Sequence, residues 1–439
     1  MTPRKAALKN KESQMAGNGT SSTAVAESGV PPRWYREVAP GSWWVLAFAT
    51  MGWMFDNYDS FALSLTLPAL AATFELSKEQ AGAIGSILAG GLIVGGITMG
   101  WVADRIGRVR ALYLSILIYS LFTCLTAFAP SANWVAALRF LGGLGMGGTW
   151  TSGAALVAET WSARHRGKGG ALMQMGLPLG SMLAVGVTAL VSNLMGGLNG
   201  GGWRVVYALG CLPALILLPV MLRTPESPVW LSNAVSTAKR TSIADLFRGG
   251  NARGLVLAFS FIFFMQYIYW GVFTWTPTFL VTVKHLAFVR GLGFLMAQQL
   301  GSLTGFLVFA ALTDRLGRRP TFIIYLLIGA IAVGFLVMQS DASVLLATMF
   351  FTGFGIAGIF AGMGPFTAEM LADTSARGTA MGIAYNGGRI GGLIAPILIG
   401  ALATSEQGFA AGMATTIVAF VLAIGVILIC PETRGREIR

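Results

Sequence analysis

Two short copies of one pattern decide how this chain is organised. The first reads Asp104-Arg105-Ile106-Gly107-Arg108 and the second reads Asp314-Arg315-Leu316-Gly317-Arg318, which begins 210 residues later in a chain of 439. Each copy follows a long apolar stretch, and one short basic turn after such a stretch could arise by chance. A second copy at the equivalent place in the other half indicates an internal repeat, which is typical of membrane proteins built from two related helical bundles.

The apolar stretches around these turns account for most of the chain. Hydrophobic residues make up 55% of the positions and charged residues 11%, against roughly 25% charged in an ordinary soluble domain. Since a transmembrane helix needs about 20 apolar residues, the composition fits a polytopic membrane protein with little else attached. It excludes a soluble enzyme, a disordered protein and a nucleic-acid binder. Hydropathy predicts twelve spans, at roughly 43–72, 82–102, 111–130, 133–158, 169–195, 203–222, 254–283, 291–312, 320–339, 343–368, 378–403 and 408–430.

The net charge of +12 lies on one side of the predicted membrane. Loops that join even-numbered to odd-numbered spans carry this surplus together with the two tails, whereas the charges of the opposite loops cancel. Under the positive-inside rule the basic side is cytoplasmic, so both termini are predicted to be cytoplasmic. The predicted organisation is a mostly disordered tail (1–42), a six-helix bundle (43–222), a cytoplasmic loop (223–253), a second six-helix bundle (254–430) and a cytoplasmic tail (431–439).

Four kinds of motif resemble those of the major facilitator superfamily, and the turn that occurs twice is one of them. Besides the two repeated turns, they are Arg139-x-x-x-Gly143-x-Gly145-x-Gly147-Gly148 in span 4, Pro225-Glu226-Ser227-Pro228 after span 6 and Pro431-Glu432-Thr433-Arg434 after span 12. The resemblance covers nearly everything from residue 43 to residue 436. It implies an all-α membrane protein with twelve transmembrane helices in two pseudo-symmetric six-helix bundles.

The resemblance also implies a gating role for the repeated turns, which latch the two halves together on the cytoplasmic side when the binding site opens outward. The residues concerned are Asp104, Arg105 and Arg108 in the first turn and Asp314, Arg315 and Arg318 in the second, with Glu159 and Glu369 as predicted partners. Membrane topology and helix capping alone would explain the same residues.

Asp56 and Asp59 lie within span 1, where an ionisable group costs about 2.5–3.5 kcal/mol on insertion scales and therefore usually faces a functional cavity. Their spacing of three places both carboxyl groups on one helix face. Two carboxyl groups so close in a low dielectric tend not to ionise together, so one is expected to bind a proton reversibly near neutral pH. The alternative is solvation at a helix end with an ion pair to Arg139. The family resemblance associates Arg139 with proton coupling, although it could simply fix span 4 against span 1.

Arg389, in span 11, is the best candidate for binding an anionic substrate. Tyr385 and Asn386 precede it by four and three residues, so the three side chains form one polar patch. A guanidinium group keeps its charge and offers a planar fork that matches a carboxylate. A permanent ion pair with an aspartate of span 1 is the alternative. Further predicted substrate-binding residues are Gln266, Tyr269 and Trp150.

Three other residues are expected to have no role in the site. Trp275, near the outer end of span 7, is predicted to lie at the membrane interface. His165, in a cytoplasmic loop, and His285, at an outer helix end, are expected to be solvated. Two separate histidines and three separate cysteines offer no metal-ligand set, and no cofactor other than a coupling proton is expected.

Within the superfamily, three stretches resemble proton symporters of organic acids, namely the sialate, lactate/monocarboxylate and aromatic-acid branches. They are Asp56-Asn57-Tyr58-Asp59, Gly145-Met146-Gly147-Gly148-Thr149-Trp150 and Tyr385-Asn386-Gly387-Gly388-Arg389. Those relatives often have Glu where this chain has Thr149, which places more of the proton load on span 1. The resemblance implies a secondary active transporter that takes up a small organic acid anion, a mono- or aromatic carboxylate, with protons by alternating access.

Two other transport functions stay open. A sugar or polyol facilitator is the nearer, because the proline-glutamate segments after spans 6 and 12 also resemble sugar porters, although a neutral sugar gives no reason for Arg389. A drug/proton antiporter is less favoured, because Gly176-Leu177-Pro178-Leu179-Gly180 matches its span 5 motif only in part. A membrane enzyme would need a nucleophile–base set or clustered metal ligands. The expected setting is the inner (plasma) membrane of a bacterium, with a monomer that has substrate, proton and lipid as partners.

Overall fold

Our computed structural model describes residues 34–162, 165–233, 250–370 and 377–433. The predicted loop 223–253 and the predicted tails 1–42 and 431–439 lie largely outside these residues. The side chain of Asp314 also lies outside the described part, although its backbone continues a helix.

The first half of the chain forms eight helices that correspond to predicted spans 1 to 6. They are α1 (Pro40–Phe74), α2 (Lys78–Ile106), α3 (Arg108–Thr126), α4 (Ala132–Thr160), α5 (Arg166–Gln174), α6 (Gly176–Met195), α7 (Gly202–Ala208) and α8 (Leu212–Arg223). Helices α5 and α6 together make span 5, whereas α7, a 3-10 turn at Leu209–Cys211 and α8 make span 6. A short helix, α9 (Pro228–Asn233), follows.

The second half repeats this arrangement over predicted spans 7 to 12. Its helices are α10 (Gly250–Thr282), α11 (Phe288–Leu316), α12 (Arg318–Met338), α13 (Ala342–Gly358), α14 (Phe360–Met370), α15 (Arg377–Gly388), α16 (Ile390–Leu402) and α17 (Glu406–Ile429). Helices α13 and α14 make span 10, and α15 and α16 make span 11.

Within the described ranges, nine helical stretches are long and apolar enough to cross a membrane. The chain is therefore an all-α membrane protein, as predicted from its composition. The count of twelve spans and the cytoplasmic position of both termini stay predictions.

Local sequence signals explain several helix ends. The hydroxyl of Ser77 accepts a hydrogen bond from the backbone of Gln80, and the Gln80 side chain accepts one from the backbone of Ser77, which is a capping box at the start of α2. The carboxylate of Asp341 caps α13 by accepting hydrogen bonds from the backbone N–H groups of Ser343 and Val344.

Span 11 contains a joint that matters for the site. Arg389 lies between α15 and α16 with φ −59° and ψ −16°, so the backbone tightens locally without leaving the helical region. Its N–H donates to the carbonyl of Tyr385 at 3.2 Å, and its own carbonyl accepts from Leu393 at 3.1 Å. Arg389 is therefore presented from the junction of two shorter helices.

Small residues bring the two halves together along α2. Gly95 lies against the main chain of α4 in its own half, whereas Gly82 lies against the carbonyl of Pro396 in α16 of the other half. Ser86 Oγ donates a 2.8 Å hydrogen bond to the carbonyl of Leu393. Helix α6 packs against α11 at the same boundary. Helix α1 also packs against α10, and a cavity lies between the halves.

Candidate functional site

The cavity between the halves collects residues from both of them. Its volume is about 30 Å³, so in this conformation the cavity is nearly closed and has room for only a few water molecules. Its lining comes from α1, α2 and α6 in the first half and from α10, α14 and the α15–α16 segment in the second. The lining residues are Trp53, Asp56, Asn57, Ser60, Leu92, Leu177, Gln266, Tyr269, Trp270, Phe360, Tyr385 and Arg389. The structure therefore brings together Asp56 and Arg389 with three further residues that the sequence predicted for the site.

Arg389 supplies the positive charge of this cavity. It is 6% exposed, and its Nη1 donates to the carbonyl of Leu92 in α2 at 3.0 Å and, more weakly, to Asn386 Oδ1 at 3.5 Å. The guanidinium carbon lies 5.0 Å from the centre of the Tyr385 ring, within cation–π range. Arg389 thus donates a hydrogen bond to a main-chain oxygen of the opposite half, and among the described residues it forms no direct ion pair with a carboxylate.

Asp56 supplies the negative charge. It is 2% exposed, and its Oδ2 is buried without a hydrogen-bond partner in the described part of the chain. The charges of Arg389 and Asp59 act on it, and the hydroxyl of Thr149 interacts with it. A buried carboxylate oxygen without a partner is costly, so this group is poised to take up a proton or a new donor.

Asp59 is in a different situation, although it lies on the same helix. Arg139 Nη1 donates to Asp59 Oδ1 at 2.8 Å, and Thr123 Oγ1 donates to Asp59 Oδ2 at 2.8 Å. Arg139 Nη2 in turn donates to the hydroxyls of Thr123 and Thr126, and the ring of Tyr207 lies 5.0 Å from the guanidinium carbon. Asp59 and Arg139 form a buried, hydrogen-bonded ion pair outside the cavity lining, which agrees with the ion pair of the alternative interpretation but not with its solvated helix end.

Aromatic rings form much of the cavity wall. The rings of Tyr269 and Phe273 are stacked with centroids 4.4 Å apart, and Phe360 meets Tyr269 edge-on at 5.1 Å. Trp150 of α4 stacks on Tyr385 of α15 at 3.9 Å and 8°, across the boundary between the halves. Trp150 therefore reaches the cavity through Tyr385, and its Nε1 is fixed by Gln174 at 3.1 Å.

The first repeated turn is held inside its own half. Arg108 donates to Asp104 at 2.6 Å and to Glu159 at 3.4 Å, and Glu159 accepts a hydrogen bond from the hydroxyl of Ser227. The carboxylate of Glu226 accepts the backbone N–H of Arg108 at 2.9 Å, where an anion is favoured by the start of helix α3.

The second turn repeats this arrangement. Arg318 donates to Glu369 at 3.0 Å, Glu369 accepts from the hydroxyl of Thr433, and Glu432 accepts the backbone N–H of Arg318 at 2.9 Å and of Arg319 at 3.0 Å. The residues before Arg108 and Arg318 have φ near +100°, and only glycine adopts this region easily. In this conformation both networks join elements of one half, so a latch between the halves stays a prediction for the outward-open state.

The sequence analysis missed the second members of these networks. Glu226-Ser227 and Glu432-Thr433 are equivalent residues of the internal repeat, and their matching Pro-Glu-Ser and Pro-Glu-Thr contexts were a signal that they share a role. Thr123 and the carbonyl of Leu92 were also missed, because neither a span threonine nor a main-chain oxygen stands out from its neighbours in a sequence.

Two expectations were wrong. Trp275 is not at the membrane interface: it is 1% exposed, and its Nε1 donates to the carbonyl of Pro396 across the boundary between the halves. His165 is not solvated: it is 3% exposed, and its Nε2 lies 2.8 Å from Glu37 Oε2. In both cases burial comes from a residue more than a hundred positions away, which local hydropathy does not reveal.

Comparisons with known proteins agree with this architecture. A sequence profile described as "Major Facilitator Superfamily" matches residues 43–298 and 290–438. The "Probable 4-methylmuconolactone transporter" of Cupriavidus pinatubonensis is 34% identical over 404 residues, which cover 92% of this chain and 93% of that protein. The "Cis,cis-muconate transport protein" of Acinetobacter baylyi is 30% identical over 370 residues, with 82% and 88% covered. A crystal structure of a D-xylose-proton symporter superposes with a TM-score of 0.74 over 90% of this chain and 99% of that chain, at 22% identity. That likeness is one of fold alone.

Proposed function

Because the chain belongs to the Major Facilitator Superfamily, and is therefore a multi-pass membrane transporter and not an enzyme, we propose that it takes up a small organic acid together with protons. The observation that carries this proposal is the pair of opposite charges in one cavity between the halves. Arg389 faces the cavity from the second half, and Asp56, whose Oδ2 has no partner among the described residues, faces it from the first.

Arg389 binds the carboxylate of the substrate in this proposal. A guanidinium group and a carboxylate form charge-assisted, often bidentate hydrogen bonds, which are stronger than the bond to the neutral carbonyl of Leu92 that Arg389 makes here. The rings of Tyr269, Trp270 and Phe360 in the lining offer flat apolar surfaces, and these favour a planar, unsaturated acid over an aliphatic one of equal size. The name of the similar methylmuconolactone transporter supports an unsaturated organic acid, whereas muconate, in the name of the other relative, has two carboxyl groups.

Asp56 takes the transported proton. The charge of Arg389 acts on Asp56 in the empty cavity, so an anion that occupies Arg389 removes the stabilisation of the Asp56 carboxylate. Protonation of Asp56 conversely leaves Arg389 with no other nearby negative charge in the lining and strengthens its attraction for the anion. Such coupling is reciprocal by thermodynamic necessity, and it makes binding of the acid and binding of the proton favour each other.

Asp59 and Arg139 have a supporting role in this scheme. Both oxygens of Asp59 already accept hydrogen bonds from charged or hydroxyl donors, so the pair holds α1 to α4. The proposal therefore assigns the transported proton to Asp56 alone and not to both aspartates. With both Asp56 and Arg389 neutralised, the halves rock between outward and inward openings around the site.

Proteoliposomes that enclose buffer and report external pH with a dye test this function. Planar carboxylic acids added outside without an imposed gradient are expected to alkalinise the outside medium, because each anion enters with a proton. Asp56→Asn and Arg389→Gln are expected to abolish the signal, and Arg389→Lys, which keeps the charge but loses the fork, to raise KM by at least tenfold, about 1.4 kcal/mol. Protein-free liposomes correct for unaided leakage of protonated acid.

Sugar uptake without any acid-dependent proton movement would overturn the proposal in favour of the facilitator alternative. Proton release on addition of cationic drugs would favour the antiporter. Since the similar transporters named above come from bacteria, we place the protein in the bacterial inner membrane, as a monomer with the proton as its coupling ion.

A further inference from the structure

The buried charges of the described residues fall into three groups. Among the acidic, basic and imidazole side chains, six are buried: Asp56, Asp59, Arg139, His165, Glu369 and Arg389. His165 and Glu369 belong to contacts at the ends of helices, where Glu37 and Arg318 are their partners. The other four lie deep in the helices, and their formal charges cancel.

These four charges divide into one closed pair and one open pair. Asp59 and Arg139 are joined at 2.8 Å and are 2% and 0% exposed, so each charge faces the other, although Arg139 Nε has no hydrogen-bond partner among the described residues. Asp56 and Arg389 both line the cavity, and they are the charged residues in its lining. Any charge brought in by an occupant is therefore balanced by these two residues alone.

We infer that each transport cycle carries one proton and one singly charged anion, so that the cycle is electrically neutral and doubly charged acids are poor substrates. This inference rests on the proposed function. With a monoanion on Arg389 and a proton on Asp56, the closed cavity holds no net charge. A dianion leaves one negative charge uncompensated, and a buried uncompensated charge is expensive in a low-dielectric interior.

Among the described residues, Asp59 is the other acidic group buried deep in the spans, and it is a poor site for a second proton. Protonation of Asp59 would break its bond to Arg139 or to Thr123 and would leave the Arg139 guanidinium, which is fully buried, without its counter-charge. Breaking such a pair is far more costly than protonating Asp56, whose Oδ2 has no partner to lose in the described part of the chain. The stoichiometry of one proton therefore follows because Asp59 already has hydrogen-bond partners, which leaves Asp56 as the proton site.

The test measures accumulation at equilibrium in proteoliposomes that contain the full chain, with 4-hydroxybenzoate as the monoanion and cis,cis-muconate as the dianion. One arm imposes a pH gradient, inside alkaline, while valinomycin and equal potassium hold the potential at zero. The other arm imposes a potassium diffusion potential, inside negative, at equal pH. One proton per monoanion predicts about tenfold accumulation of 4-hydroxybenzoate per pH unit and none from the potential.

About a hundredfold accumulation per pH unit, or accumulation driven by the potential, would overturn this stoichiometry while leaving proton-coupled uptake intact. Muconate uptake as fast as that of 4-hydroxybenzoate at a pH where both carboxyl groups are ionised would overturn the charge selectivity. Absence of uptake for both acids would overturn the proposed function itself, and the stoichiometry with it.

Asp56→Asn separates a proton-carrying role from a structural one. Its side chain has nearly the same size but cannot take up or release a proton, so pH-driven accumulation of 4-hydroxybenzoate is expected to be lost, whereas Asp56→Glu, which keeps a carboxyl group, is expected to retain part of it. Wild-type accumulation per pH unit in Asp56→Asn, or equal loss in both variants in protein that is normally inserted, would contradict the assignment of the proton to Asp56.

Discussion

Asp59 and Arg139 show how a single residue pair can be essential without touching the cavity. Each oxygen of the Asp59 carboxylate accepts a hydrogen bond, from Arg139 and from Thr123, and Thr126, which accepts from Arg139, lies with Thr123 on a third helix, α3. A buried ion pair of this kind adds little over a well-packed apolar pair, but removal of one partner leaves the other charge stranded. The pair therefore fixes α1, α3 and α4 relative to one another and adds little to the free energy of unfolding.

Asp59→Asn is accordingly expected to destabilise the protein by about 3–5 kcal/mol, because Arg139 then has no counter-charge. Thermal unfolding of the detergent-purified protein measures this loss. The double variant Asp59→Asn/Arg139→Met, which removes both charges, is expected to recover most of the stability. Asp104→Asn serves as the control, since its carboxylate is 66% exposed and such a pair contributes about 0.3–0.5 kcal/mol. Equal losses in the single and double variants would contradict the stranded-charge account.

At the scale of helices, α2 decides how closely the two halves approach. Gly96 faces the patch of Asn386 and Arg389, and a methyl group there would overlap Asn386 Oδ1 and lie 3.4 Å from Arg389 Nη1. The same helix carries Gly100, where a methyl group would meet nothing within 4 Å. The two glycines lie one turn apart, but only at Gly96 would a larger side chain overlap the anion-binding residues.

Gly96→Ala is expected to displace Asn386 and Arg389 and to reduce kcat/KM for the acid by at least tenfold, about 1.4 kcal/mol. Gly100→Ala makes the same chemical change in the same helix and is expected to leave transport within twofold of wild type. Initial rates of labelled-acid uptake, normalised to the amount of inserted protein, compare the two. Equal rates in both variants would show that α2 need not approach α15 so closely.

The sequence was sufficient for the helices but only partly for the site. Long apolar stretches predicted the nine membrane-length helical stretches found among the described residues, because the membrane imposes a hydrophobic length on each helix. Asp56 and Arg389 were found because charged groups are rare at that depth. The roles of Asp56 and Asp59 could not be separated, since the difference lies in Thr123 and Arg139, which approach from other helices. The joint at Arg389 was also invisible, because its backbone leaves ideal helix by only a small change in ψ.

At the scale of the whole molecule, the internal repeat gives each half the same fastening, a network of charged and hydroxyl side chains at one end of its helices. Glu159 binds Arg108 and Ser227 in the first half, and Glu369 binds Arg318 and Thr433 in the second. A fastening that is built twice makes each half a rigid unit, which is what a rocking movement between the halves requires.

Glu159→Gln and Glu369→Gln are therefore expected to slow transport by a similar factor, severalfold or more, with little change in the binding constant for the acid. Each substitution weakens a charge-assisted network but leaves the cavity untouched. Glu75→Gln, at an exposed helix end on the opposite side, is the matched control and is expected to transport normally. Binding of 4-hydroxybenzoate by calorimetry and uptake rates distinguish the two effects, and wild-type rates in both fastening variants would contradict them.

The capping glutamates have a consequence for how the polypeptide can be divided. Glu226 brings the end of the first six-span unit back to the turn at Arg108, and Glu432 does the same for the second unit at Arg318. The last residues of each unit therefore make this capping contact within the same unit, and neither unit depends on the other for it. Two genes that encode residues 1–240 and 241–439 should therefore yield fragments that fold separately, find each other in the bilayer and restore transport when expressed together. A first fragment that stops at residue 224 lacks Glu226 and should not restore transport.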